Sequence, residues 1–153
     1  MKKVTFLSLI LLLALVQTNA QNNPYMLTHL VSKDSTNTIQ YEGYFSYDTD
    51  GKEVESIDYS YYGGTTYGSK TNWTYDNITG YITEKDYYNY NYGTSIWEPT
   101  YKTEFTQYDS NGNILEEINS YFNSGNNMWI YYLKTVYSYN NNMLDNKEDF
   151  YYG

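Results

Sequence analysis

The residues of this chain that could carry chemistry fall into a few groups. Histidine occurs once, as His29. A serine–histidine–aspartate relay would have to pass through it. It lies in the weakly patterned stretch Pro24 to Ser35, where a solvated side chain is the expectation. A second group sets carboxylates beside glycine: Asp48 and Asp50 before Gly51, Asp76 before Gly80, Asp109 and Asn111 before Gly112. Oxygen ligands of this kind suit calcium, but a calcium loop also needs ligands at further alternate positions and a closing bidentate Glu. The same spacing describes a tight turn, with Asp accepting backbone N–H groups and Gly taking positive φ. These residues are therefore read as structural turn residues, with no metal site. A third group is paired carboxylates, Glu53 with Glu55 and Glu116 with Glu117, the raw material of a glycoside hydrolase. Strand alternation puts the first pair on one face and splits the second. Charge on a solvated face, which also discourages edge-to-edge pairing, is the simpler reading. Aromatic rings form the last group. Trp97 and Trp129, with Trp73 and Tyr101, could stack on sugar rings or other flat ligands; alternatively, each tryptophan clamps one structural unit to the next.

Composition narrows these options. Cysteine is absent, which excludes disulfides, thiolate zinc sites and cysteine nucleophiles. All nine basic residues are lysines and the net charge is −9, the wrong balance for a phosphate-tracking nucleic-acid binder. No cofactor is implied. Lys2 and Lys3, the apolar run Phe6 to Val16, and small residues ending at Ala20 make residues 1–20 a secretory signal peptide. Its removal would take the net charge from −9 to −11. The apolar run is too short to span a bilayer comfortably.

Beyond Ala20 there is no alanine, and Val, Ile and Leu together number only 16, against 23 Tyr in the whole chain. A core would have to be built from tyrosine, whose ring buries as much area as an aliphatic side chain while its oxygen stays wet. Aromatic and β-branched residues favour strands, and helical periodicity is missing. An ordered all-β fold is expected.

An internal repeat organises that fold. Lys70, Lys102 and Lys134 are spaced by 32 and 32 residues, and each opens a phrase Lys-Thr-x-aromatic, followed by Ser or Thr, Tyr, and Asp or Asn. A looser copy ends Phe45-Ser46-Tyr47-Asp48, and Gly93 with Trp97 and Gly125 with Trp129 precede two of the lysines at fixed distance. Each phrase reads as a strand, a turn and a return strand; Gln107 in the third copy reads as a β-bulge. The expectation is an antiparallel meander of about four repeated hairpins, open or partly curled. Residues 21–38 form a lead-in segment and residues 39–153 the repeat domain.

The phrase Phe105 to Asn113 resembles the tyrosine-aspartate repeats of bacterial wall-associated and Rhs-type proteins. With its tryptophan spacer, the stretch Ile39 to Tyr152 is similar to the roughly thirty-residue repeats of secreted Bacteroidetes proteins. The resemblance implies an exported, non-enzymatic β-repeat scaffold or adhesive surface protein, secreted or on the outer surface of a Gram-negative cell. Its implied partners are an extracellular polysaccharide or a surface protein. A carbohydrate-binding module using Trp97, Trp129, Trp73 and Tyr101 is the alternative. An acidic glycoside hydrolase and a small outer-membrane barrel are further readings.

Overall fold

A computed structural model describes residues 26–153; the signal-peptide reading lies outside the described residues. Nine strands follow one another: β1 (His29–Lys33), β2 (Ile39–Tyr47), β3 (Glu53–Tyr62), β4 (Thr65–Tyr75), β5 (Ile82–Asn91), β6 (Ile96–Tyr108), β7 (Ile114–Asn123), β8 (Met128–Asn140) and β9 (Met143–Tyr151). They form one sheet in chain order, every neighbouring pair antiparallel. The sheet is open, with β1 and β9 as its two edges. The four expected hairpins are β2–β3, β4–β5, β6–β7 and β8–β9.

One strand precedes them. β1 lies inside the expected lead-in, so the sheet starts before Ile39. The cause is one more Asp turn: the Asp34 carboxylate accepts the amides of Thr36 and Thr38 at 2.8 and 3.0 Å, and Asn37 takes φ 66°. His29 is accordingly no solvated tail residue. Its ring stacks on Tyr44 at 4.5 Å, across the first strand pair.

The turns at the hairpin ends follow the sequence closely. Asp48 accepts the amides of Asp50 and Lys52, Asp76 those of Ile78 and Thr79, and Asp109 those of Asn111 and Asn113. Gly51, Gly80 and Gly112 supply positive φ in these turns. The fourth hairpin has no glycine; Asn141 and Asn142 take φ 51° and 62° instead, as a two-residue turn of the type matching strand twist requires.

Bulges set which face each residue meets. The third copy is irregular beside Gln107, as expected, with Thr106 the unpaired residue. Every return strand also skips one residue: Val54, Thr83, Leu115 and Asp145. An extra residue turns the strand about its axis, so residues on either side exchange faces. This overturns the expectation that Glu53 and Glu55 share a face. Glu55 opposes Ser46 and Glu53 opposes Tyr47, so the two point to opposite sides.

The sheet has a single layer, and among the described residues Phe105 is its one buried large apolar side chain, at 8% exposure. Ser120 and Thr135, each at 0%, are fully enclosed by neighbouring side chains. Where a ladder runs out, a repeat tyrosine closes it. The Tyr47 phenol donates to the Leu27 carbonyl at 2.9 Å, Tyr75 to Glu53 at 2.8 Å, and Tyr108 to Ile82. In each case the phenol satisfies a backbone acceptor beyond the end of the ladder between its own strand and the preceding one. The repeated tyrosine is thus a hydrogen-bonding group as well as a ring.

Candidate interaction face

Because side chains alternate along a strand, the sheet has two faces of different character. On the first, the repeat lysines are fully occupied. Lys102 Nζ lies 2.8 Å from Glu84 Oε2, 3.6 Å from Asp86 Oδ1 and 5.2 Å from the Trp129 ring centre. Lys70 repeats the arrangement one unit earlier, 3.9 Å from Glu55, 4.7 Å from the Tyr88 ring and 5.6 Å from the Trp97 ring. Lys134 pairs with Glu116 at 2.5 Å. Trp97 and Trp129 stand at the same distance along the chain after Lys70 and Lys102, so each tryptophan caps the lysine of the preceding cassette. Trp97 packs edge-on against Tyr90 at 5.0 Å and reaches Tyr59 at 6.3 Å; Trp129 packs against Phe122 at 5.2 Å. Gly68 lies among these rings. A methyl group there would come within 2.9 Å of the Tyr90 Cβ and 3.2 Å of the Tyr59 ring.

The electrostatics of this face are self-contained. Burial pushes the Asp86 pKa up, and the neighbouring Glu84 charge adds to the effect. Burial pulls Lys102 down, but its hydrogen bond to Glu84 and the Asp86 charge outweigh that and leave its pKa raised. Glu116 is held low by the hydrogen bonds from Lys134 and then Thr106. The Glu84–Asp86–Lys102 group escaped the sequence reading. Its signal was there, since Lys102 falls opposite Asp86 once the hairpin register is drawn.

The second face is paved differently. The β-ladder aligns Ser56, Thr71, Tyr87, Tyr101 and Tyr121 in one row across β3 to β7. Tyr101 is 54% exposed and Tyr121 39%. The junction bulges leave Thr100 and Tyr132 unpaired in equivalent places. Thr100 Oγ1 donates to the Tyr87 carbonyl at 2.9 Å, and the Tyr132 ring lies 6.2 Å from Tyr121. Together these residues and Asn89 border an open trough of about 620 Å³. A second hollow of about 440 Å³ adjoins it, with Thr71, Thr103 and Asn119 on its floor. Thr103 donates to Asn119 at 2.7 Å.

The sequence-derived candidates therefore do not form one site. Trp97 and Trp129 lie half-buried on the lysine face. Tyr101 lies on the tyrosine face, as does Trp73, opposite Lys85. The turn carboxylates of Asp48, Asp76 and Asp109 are bonded to backbone amides. Among the described residues no group of three or more histidine or acidic side chains is placed to hold a metal ion.

No family model matches the chain, and no curated protein matches it. Solved structures do resemble it. A DUF3836 family protein from Parabacteroides distasonis superposes with a TM-score of 0.51 at 14% identity, covering 72% of this chain and 86% of that one. A DUF3836 family protein from Bacteroides vulgatus gives a TM-score of 0.46 at 20% identity, covering 60% of this chain and 90% of that one. At 14% identity the likeness to the Parabacteroides distasonis protein is one of fold.

Proposed function

We propose that this chain is an exported, non-enzymatic β-repeat protein that works by presenting an extended interaction face to an extracellular polysaccharide or surface protein. The observation that carries this reading is the row Tyr87, Tyr101 and Tyr121. Three phenols sit side by side on interior strands, two of them well exposed, on the face opposite to the repeat lysines Lys70, Lys102 and Lys134. Exposed aromatic surface of this kind is typical of contact patches, because a tyrosine offers an apolar ring and a polar tip with little side-chain entropy to lose. The opposite face supports the same division of labour. Its repeat lysines are matched to carboxylates and its tryptophans pack between cassettes, which suits a scaffold.

Immobilising the full chain on a biosensor and passing intact and deglycosylated mucin over it tests the proposal. Binding that weakens when Tyr101 and Tyr121 are replaced, without release of reducing sugars, is the expected outcome. Polymer cleavage by the chain would contradict the non-enzymatic reading. Absence of binding to either mucin form would contradict the interaction reading.

A further inference from the structure

We propose that the trough on the tyrosine face, between β5 and β8, binds a neutral polysaccharide whose sugar rings lie on Tyr101 and Tyr121. This names the partner class of the interaction face and rests on that reading. Asn89, Thr100, Tyr101, Tyr121 and Tyr132 border the trough, and none of them carries a charge. In a chain of net charge −9, the general field repels anionic polymers. The lining is uncharged, with Glu98 opposite Asn89 at its margin, so the trough selects a ligand that needs no counter-charge.

Position in the sheet points the same way. Strands β5 to β8 are interior, each hydrogen-bonded on both sides, so their backbone groups are already spent. A peptide joining as an extra strand needs an unpaired edge. A ligand here can be read only by side chains. Ring faces and neutral hydrogen-bonding groups are what a sugar uses: C–H faces to lie on an aromatic ring, and hydroxyls that both donate and accept. Among the described residues Asn89, Tyr101 and Tyr121 make no side-chain hydrogen bond to a neighbour, whereas Asn119 and Thr103 bond each other. The bulges at Thr100 and Tyr132 fit this use, since bulges commonly re-aim side chains beside binding sites.

Affinity electrophoresis of the full chain through gels containing mannan, amylose, mixed-linkage β-glucan or galactan, with alginate as an anionic control, tests the proposal. At least one neutral polymer should retard the protein. Tyr101→Ala with Tyr121→Ala should weaken that retardation about tenfold, while Tyr101→Phe with Tyr121→Phe should keep most of it. Asn89→Ala, at an exposed strand position, provides a second probe should the paired alanines disturb folding, which circular dichroism would reveal. Unchanged retardation in both the alanine pair and Asn89→Ala overturns the site. Retardation by alginate alone overturns the neutral-ligand class. Failure on every polysaccharide overturns the proposal, and the mucin sensor then separates the two readings. Tyrosine-dependent binding of deglycosylated mucin leaves the interaction face standing with a peptide partner, and silence there removes both.

Discussion

The two faces of this sheet are made by the same strands, yet they use their side chains in opposite ways. On the lysine face each repeat lysine pairs with a carboxylate, Lys70 and Lys102 also lie against a tryptophan of the following cassette, and the rings of Tyr59, Tyr90 and Trp97 close over Gly68. On the tyrosine face Tyr101 and Tyr121 stand exposed beside uncharged neighbours. A single-layer sheet has no second layer to cover either side. It packs its two faces differently: long side chains lie flat over the lysine face, whereas on the tyrosine face Ser56, Thr103, Phe105 and Thr135 are buried and Tyr101 and Tyr121 stay exposed beside them. The lesson concerns stability: here it is distributed along the array, as in other repeat proteins, and is carried by rings and ion pairs between cassettes.

The largest effect that would sharpen this comparison is alkaline unfolding. Burial and the Asp58 hydrogen bond raise Tyr41 to about 12, and the Glu42 hydrogen bond and then burial raise Tyr61 to about 12. Burial raises Tyr108 to about 12, and burial with the Glu117 charge does the same for Tyr137. A phenol whose folded pKa lies above its unfolded value of 10.0 contributes stability below pH 10. That stability is lost as the pH rises through 12. Tyrosinate absorbance and far-ultraviolet circular dichroism should therefore change together between those values. A sheet that keeps its dichroism after these phenols ionise would contradict the account.

Next in size is Lys102→Met. It removes the cation while leaving Glu84 and Asp86 beside each other, and should cost about 2 kcal/mol in urea unfolding. Adding Asp86→Asn should return part of the loss. A smaller effect is expected for Tyr75→Phe, which deletes the phenol bonded to the Glu53 carbonyl and keeps the ring. A loss of about 1 kcal/mol by the same measurement is expected. An unchanged midpoint would mean that water satisfies that carbonyl equally well.

Much of this architecture could be read before any coordinates. The 32-residue spacing, the Asp-to-Gly turns and the alternating aromatics led to four hairpins in an antiparallel meander, because turn chemistry and strand alternation are local and leave marks in composition. What escaped was whatever depends on a skipped residue. Val54, Thr83, Leu115 and Asp145 share no chemistry, only a position three residues after Gly51, Gly80, Gly112 and Asn142, a mark that shows only when the four hairpins are aligned, yet they decide which face each neighbour meets. Simple alternation therefore puts Glu53 and Glu55 on one face, and the bulge at Val54 separates them. Residue type likewise groups the four aromatic candidates, although Trp97 and Trp129 share a face opposite to that of Trp73 and Tyr101. β1 leaves no mark in the sequence because its five residues, His29–Lys33, are too few to show a period. The pairing of Lys102 with Asp86 could have been found by drawing the hairpin register, a step that residue type alone does not prompt.

The division between the faces is tested most directly by comparing two paired variants in urea unfolding. Trp97→Ala with Trp129→Ala removes half-buried clamps and should lower stability by about 4 kcal/mol. Tyr101→Ala with Tyr121→Ala removes exposed rings and should cost about 1 kcal/mol. Equal losses, or a larger loss from the tyrosine pair, would mean that the tyrosine face holds the sheet together and would contradict its assignment as the contact surface.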